Sequence, residues 1–252
     1  MSIPPTLMRA ALPRRQRQRA FTLVELLVVL AILAVLIVIL VPTVAILIKK
    51  GYRGKCASNV REISRACFQY AKEPSMHRGR TAVPYALPIS SALTTSNWGS
   101  LTQGNVAGLW VLIDKGFAPR GVFLCPEAGS SRGKEEPAAA ATEFTAASVS
   151  YSYLSQVAFP TTVSTDKSTL VIIADANPRC TPGTTGVTAN NSACSANHDG
   201  EGQWVGCYDG SAKWLEGTVK DPTNDDDIYA ANDQGNEDQG KRGDRDDVFL
   251  IP

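Results

Sequence analysis

Hydrophobic and polar positions divide this chain into unequal stretches. Phe21 to Val41 reads FTLVELLVVLAILAVLIVILV, uncharged except for Glu25. A run of this length spans the hydrocarbon core of a bilayer as a helix. Beyond it the pattern becomes amphipathic. Cys56, Val60, Ile63, Cys67 and Tyr70 recur at spacings of three and four, one apolar stripe on a helix. Arg53, Asn59, Arg61, Glu62, Arg65 and Lys72 occupy other faces. Glu73-Pro74 is the predicted stop, because the residue before proline disfavours helix. A helix over 21–73 would be roughly 80 Å long, and Pro42 should kink or locally melt it.

The remainder alternates short apolar segments with long polar ones. Asn105–Lys115 predicts a short helix stopped by Gly116. Val122–Cys125 predicts a strand, as do Val149–Leu154 and Leu170–Ala174 by β-branched and aromatic content. Asp209-Gly210 predicts a two-residue hairpin turn. That turn places Cys207 opposite Ala212 and Val205 opposite Trp214. The four would form an apolar face packed on the amphipathic helix. Tyr208, Ser211 and Lys213 would face the other way, with Trp204 and Leu215 further out. The fold class is α+β: a long N-terminal helix on a small antiparallel sheet with long loops. The predicted divisions are a basic leader (1–20), a membrane half of the helix (21–48), an amphipathic half (49–73) and a globular part (74–252). The last contains an acidic loop over 221–247.

Charge sharpens the N-terminal reading. The leader holds Arg9, Arg14, Arg15, Arg17 and Arg19 and no acid. Leader arginines favour a cytoplasmic N-terminus. Lys49, Lys50, Arg53 and Lys55 weaken that bias and are read as a solvated helix face. Without the five leader arginines, 20 basic residues face 24 acidic ones, a net charge of −4. This balance argues against a nucleic-acid binder, which would show a basic patch. A carboxylate in the hydrocarbon region costs about 2.5–3.5 kcal/mol or more and calls for a partner or a function. Cleavage between Ala20 and Phe21 would create an amine one helical turn from Glu25, on the same helix or across two parallel helices. The other reading is an uncleaved signal anchor. A secretory signal peptide fits less well, since its apolar region is shorter and is followed by the small-residue cleavage site.

Phe21-Thr22-Leu23-Val24-Glu25 after a small residue resembles the class III signal of type IV pilins and type II secretion pseudopilins. Ala20 stands where that family usually has glycine, and Pro42 falls where many pilins carry a helix proline. The resemblance implies that a prepilin peptidase cuts before Phe21 and methylates its amine. It also implies that Glu25 pairs with the Phe21 amine of a neighbouring subunit, with Pro42 part of the assembly helix. Its partners would be that peptidase, other pilin-like subunits and inner-membrane lipid. The exported part would lie in the periplasm or on the cell surface.

A second resemblance, to a prepilin-type family ending in His-x9-Asp-Gly, rests on His198, Asp209 and Gly210, here with ten intervening residues. Cys56-Ala-Ser-Asn-Val-Arg-Glu-Ile, Phe123-Leu-Cys-Pro, Ser150-Tyr-Ser-Tyr and Asp247-Val-Phe-Leu-Ile-Pro are similar to segments of the same family. His198 beside Asp199 and Asp209 invites an acid–base reading. With no nucleophile motif, a hydrogen bond from His198 to a loop carbonyl or the hairpin turn is preferred, and no enzyme is expected.

Ten acids and three basic residues lie in 221–247. Most such runs are solvated loops. Clustered carboxylates in a glycine-containing loop also suit calcium, although no stretch has EF-hand spacing. Major pseudopilins hold calcium in a C-terminal loop, and that resemblance points to Asp225, Asp226, Asp227 and Asp233. Six cysteines in an exported part permit disulfides. Cys180 and Cys194, flanking one loop, are the expected pair, with the other four as thiols. Zinc-ribbon spacing is absent.

Two functions remain open at this level. One is a filament subunit of a pilus or pseudopilus. The other is a membrane-anchored exported binding protein that uses the signal without assembling.

Overall fold

A computed structural model describes residues 21–73, 107–128, 135–145, 148–154, 169–178, 194–216, 228–229 and 250–251. The chain divides into two compact units, Met1–Leu47 and Ile48–Pro252.

The first helix, α1, is Leu23–Lys72. In the first unit its large apolar side chains are all exposed, from Leu23 to Leu47. Length and composition suffice for one membrane crossing. The predicted local melting at Pro42 does not occur, and the helix is continuous through it. Proline lacks the N–H that would reach back one turn. The Thr43 hydroxyl donates to the Leu40 carbonyl at 2.8 Å, so a side-chain donor serves the turn next to the proline.

In the second unit, α1 buries Cys56, Val60, Ile63, Cys67 and Tyr70, as the stripe predicts. Asn59 is also buried, contrary to its polar character, because its amide donates to the Leu124 carbonyl at 2.7 Å. A second helix, α2, is Ala107–Asp114 and buries Leu109 and Leu112. Gly116 follows at φ 76°, a left-handed position suited to a residue without Cβ. The predicted strand at Val122–Cys125 is instead a 3-10 turn, Arg120–Phe123. Pro119 precedes the turn and Pro126 follows shortly after, so the apolar run is too short and too closely bracketed to pair.

The sheet has five antiparallel strands in the order β4-β3-β2-β1-β5. They are β1 (Tyr151–Leu154), β2 (Val171–Asp175), β3 (Gln203–Cys207), β4 (Ala212–Leu215) and β5 (Leu250–Ile251). β1 and β2 are buried at every position, so β-branched and aromatic side chains fill both faces.

The hairpin forms where predicted but in another register. Trp204 pairs with Trp214, Val205 with Lys213 and Gly206 with Ala212. Gly210 N donates to the Cys207 carbonyl at 3.0 Å, and Cys207 N donates to the Ser211 carbonyl at 2.9 Å. Gly210 sits at φ 80°. This is a three-residue loop with a glycine bulge, not a two-residue turn. The extra residue shifts β3 by one position and exchanges its faces. Gly206, not Val205 or Cys207, therefore faces α1. Tyr208 also turns inward, edge-on to Phe68 at 5.6 Å.

Gly206 marks the closest approach of helix and sheet. A Cβ there would lie 2.7 Å from Ile173 Cγ2 and 2.8 Å from Val60 Cγ1, and closer still to Ser64 Oγ. Gly206→Ala should destabilise the second unit by about 1–3 kcal/mol through overpacking. Denaturant unfolding of the purified protein checks this, and an unchanged midpoint would refute the close-approach assignment.

Candidate functional site

Two places carry chemistry. The first is the start of α1. Glu25 Oε2 accepts from Thr22 N at 2.9 Å and from the Thr22 hydroxyl at 2.8 Å. Glu25 N donates back to Thr22 Oγ1 at 3.3 Å. This reciprocal arrangement is a capping box, which satisfies helix-terminal donors without water. The Thr-x-x-Glu spacing of Thr22 and Glu25 is the sequence signal for it. Phe21 is exposed beside it.

The second place is a buried polar cluster in the unit Ile48–Pro252. Asp175 ends β2, and His198 ends a 3-10 turn, Ala196–His198, that precedes β3. Glu127 follows the Cys125-Pro126 segment. His198 Nδ1 lies 2.6 Å from Glu127 Oε2, and Nε2 lies 3.1 Å from Asp175 Oδ2. With a carboxylate on each ring nitrogen, both nitrogens act as donors, which describes an imidazolium. Burial alone would lower its pKa. The hydrogen bond and charge of Asp175, then those of Glu127, outweigh burial, and the net shift is upward.

Asp175 is fully buried and well supplied with donors. Its Oδ1 accepts from Asn197 Nδ2 at 2.9 Å and its Oδ2 from Trp204 N at 2.6 Å. Asn197 also donates to the Ser150 carbonyl at 2.8 Å, and Cys125 N donates to Ser150 Oγ at 2.9 Å. A buried charge is tolerated only with such pairing.

Trp214 packs edge-on to the His198 ring at 5.3 Å, and the Arg53 guanidinium lies over Trp214 at 5.1 Å. Arg53 and Lys49 of α1 grip the loop after His198. Lys49 Nζ lies 2.9 Å from Asp199 Oδ2 and 2.6 Å from Glu201 Oε1, and Arg53 also pairs with Glu201. The Lys49 bond, then that of Arg53, holds the Glu201 carboxyl down at about 2. Asp199 adopts φ 56°, which Asp tolerates better than most side chains.

Cys56 of α1 is disulfide-bonded to Cys125, 69 residues away, with Cα atoms 5.3 Å apart. Cys125 Sγ is 3.8 Å from His198 Nε2. Among the described residues, Cys56, Cys125 and His198 are a group whose ligand atoms all lie within 4.8 Å of one another.

Residues 15–41 match the family model of the prokaryotic N-terminal methylation motif. The chain carries the class III signal of type IV pilin-like prepilins. Searches of the curated proteins and of the solved structures gave no match. The prepilin signal implies processing by a prepilin peptidase and pilin-like partners in general. Together with the apolar helix, it anchors the precursor in a membrane.

The structure places several of the residues singled out in the sequence. Among the described residues His198 meets neither Asp199 nor Asp209, and its ring nitrogens go to Glu127 and Asp175 rather than to a loop carbonyl. Asp199 pairs with Lys49, and Asp209 Oδ1 caps Ser211 N at 2.8 Å inside the hairpin. Lys49 and Arg53 are paired rather than solvated. Cys56 and Cys125 are cross-linked rather than buried thiols. Cys67 is a buried thiol whose pKa burial pushes up. Cys194 is buried, whereas Cys180, Ala20, Asp225, Asp226, Asp227 and Asp233 lie outside the described residues.

A raised His198 pKa has a definite sign. Its stabilisation is fully present below the unfolded value of 6.5 and disappears as pH rises through the higher folded value. The groups facing it are Glu127, Asp175, Cys125 and Trp214, with Arg53 Nε 3.9 Å from Glu127. The unfolding free energy of wild type should therefore fall on the alkaline side of neutrality. His198→Asn should lose that slope in a pH series of denaturant melts. Parallel profiles for the two proteins would contradict the imidazolium assignment.

Proposed function

We propose that the mature protein is a structural subunit that assembles through α1 into a type IV pilus or a type II secretion pseudopilus. The observation that carries this reading is the apolar segment of α1. Every large apolar side chain from Leu23 to Leu47 is exposed, with Glu25 as its one charge, inside and just beyond the matched motif. Such a surface is satisfied by lipid before assembly and by equivalent helices afterwards.

In this reading the leader stays in the cytoplasm and the unit Ile48–Pro252 is exported. The peptidase cuts between Ala20 and Phe21 and the new amine is methylated. That amine then neutralises Glu25 of a neighbouring subunit, removing the cost of a carboxylate in hydrocarbon. Pro42 lies in the packed part of the helix. The exported unit has a scaffolding and contact role, not a catalytic one, and His198 holds the fold.

Two measurements test the reading separately. Mass spectrometry of the native protein should find a species beginning at methylated Phe21. A native species beginning at Met1 would remove the processing step and with it the filament. Sheared surface fractions should contain wild type and lose Glu25→Lys by tenfold or more, with equal amounts in the membrane. Wild type confined to the membrane fraction would instead support an anchored protein that never assembles.

A further inference from the structure

We propose that the exported unit, when its cystine is reduced, binds one zinc-class divalent cation through Cys56 Sγ, Cys125 Sγ, His198 Nε2 and Asp175 Oδ2. The proposal is independent of filament assembly. It rests on where four separate segments bring their donors: α1, the segment after Arg120–Phe123, the turn before β3, and the end of β2.

Three donors already lie within reach of one ion, and Asp175 Oδ2, which touches His198 Nε2, completes four-coordination by closing on the sulfurs. Zinc holds sulfur at about 2.3 Å and nitrogen or oxygen at about 2.0–2.2 Å, which places neighbouring donors roughly 3–4 Å apart in a tetrahedron. Here Nε2 is 3.8 Å from Cys125 Sγ and 3.1 Å from Asp175 Oδ2. The two sulfurs and a ring nitrogen of His198 lie within 4.8 Å of one another. All four residues are buried, as in closed structural sites.

The outer contacts also match what a metal-bound histidine needs. Glu127 Oε2 accepts from His198 Nδ1–H at 2.6 Å, which orients the ring and leaves Nε2 as the ligand. Asn197 holds Asp175 Oδ1 at 2.9 Å, turning Oδ2 toward the imidazole. A disulfide does not require a carboxylate–histidine–carboxylate row beside it. A metal ligand set uses each member of that row.

The cystine and the metal exclude each other, because both need the same two sulfurs. A dithiol or phosphine reductant supplies two electrons, breaks the S–S bond and leaves two thiols, while the reductant is oxidised. Binding M2+ then displaces the two thiol protons and the Nε2 proton to solvent. The ion is left with two thiolates, a neutral imidazole and a carboxylate. Either state fastens α1 to the Cys125 segment, so the reduced protein keeps its tertiary link.

The test uses the detergent-solubilised full chain, reduced anaerobically with a phosphine that is then removed. Cobalt(II) serves as the probe. The expected result is uptake of one equivalent with the intense visible absorption of tetrahedral thiolate-bound cobalt, bleached by added zinc. Zinc should also slow alkylation of Cys56 and Cys125 at least tenfold, assigned by peptide mapping with Cys67 as reference. Asp175→Asn and His198→Gln should each weaken cobalt affinity tenfold or more. Glu127→Gln, which touches no ligand sulfur, should weaken it about 10–100-fold. The proposal is overturned if reduced wild type shows no tetrahedral band, if unreduced protein shows the same band, or if Cys125→Ser keeps it. The wild-type comparison decides the matter even where a variant fails to fold.

Discussion

A charge removed from water must meet its opposite, and the unit Ile48–Pro252 is organised around one such meeting. His198 lies out of solvent with Asp175 on one ring nitrogen and Glu127 on the other. Each carboxylate comes from a different part of the chain, so the imidazole ties the end of β2 to the Cys125-Pro126-Glu127 segment. Removing one member of such a group leaves an uncompensated buried charge, which typically costs 3–5 kcal/mol. The surrounding polar residues follow from the same constraint. Asn197, Ser150 and the Trp204 amide provide or accept the hydrogen bonds that the cluster and its backbone still require. The ion pairs of Lys49 and Arg53 with the loop after His198 are more exposed and contribute less to stability. Their service is to fix which turn of α1 lies opposite that loop.

The second requirement is close approach. The sheet comes near enough to α1 that β3 has no room for a side chain at Gly206. The disulfide from Cys56 to Cys125 and the Asn59–Leu124 hydrogen bond fasten α1 just before that point. Packing, covalent cross-link and buried charge therefore converge on three turns of α1, from Arg53 to Ser64. The stripe of Cys56, Val60, Ile63, Cys67 and Tyr70 continues the contact toward the end of the helix.

Local periodicity made much of this legible. The helix, its buried stripe, β1, β2 and the site of the hairpin follow from patterns of three, four and two residues. The hairpin register did not, because Asp-Gly serves both a two-residue turn and the last part of a three-residue loop. One residue of difference exchanged the faces of β3 and hid the role of Gly206. Val122–Cys125 has strand-like composition, but its prolines deny it a partner strand. The cluster was hidden for another reason. Glu127 stands 71 residues from His198, and Cys125 stands 69 from Cys56. Pairings at that range leave no spacing to recognise in one sequence. Asp199 and Asp209, nearer in the chain, attracted the histidine reading and proved to serve Lys49 and the hairpin turn instead.

Glu25 poses the charge problem a second time, in the other unit, and meets it by local means first. The Thr22 amide and hydroxyl both bond to one oxygen of its carboxylate, Oε2. A precursor helix entering a bilayer therefore already has two hydrogen bonds to a group that hydrocarbon would otherwise leave bare. Those bonds disperse the charge without cancelling it, since both donors are neutral. Only a cation does that; among the described residues none pairs with Glu25, and under the filament reading the amine freed at Phe21 supplies it. Under the filament reading, the capping box and the processed amine act in succession. The first makes the acid tolerable in lipid. The second makes burial between helices favourable only when a neighbour stands in register.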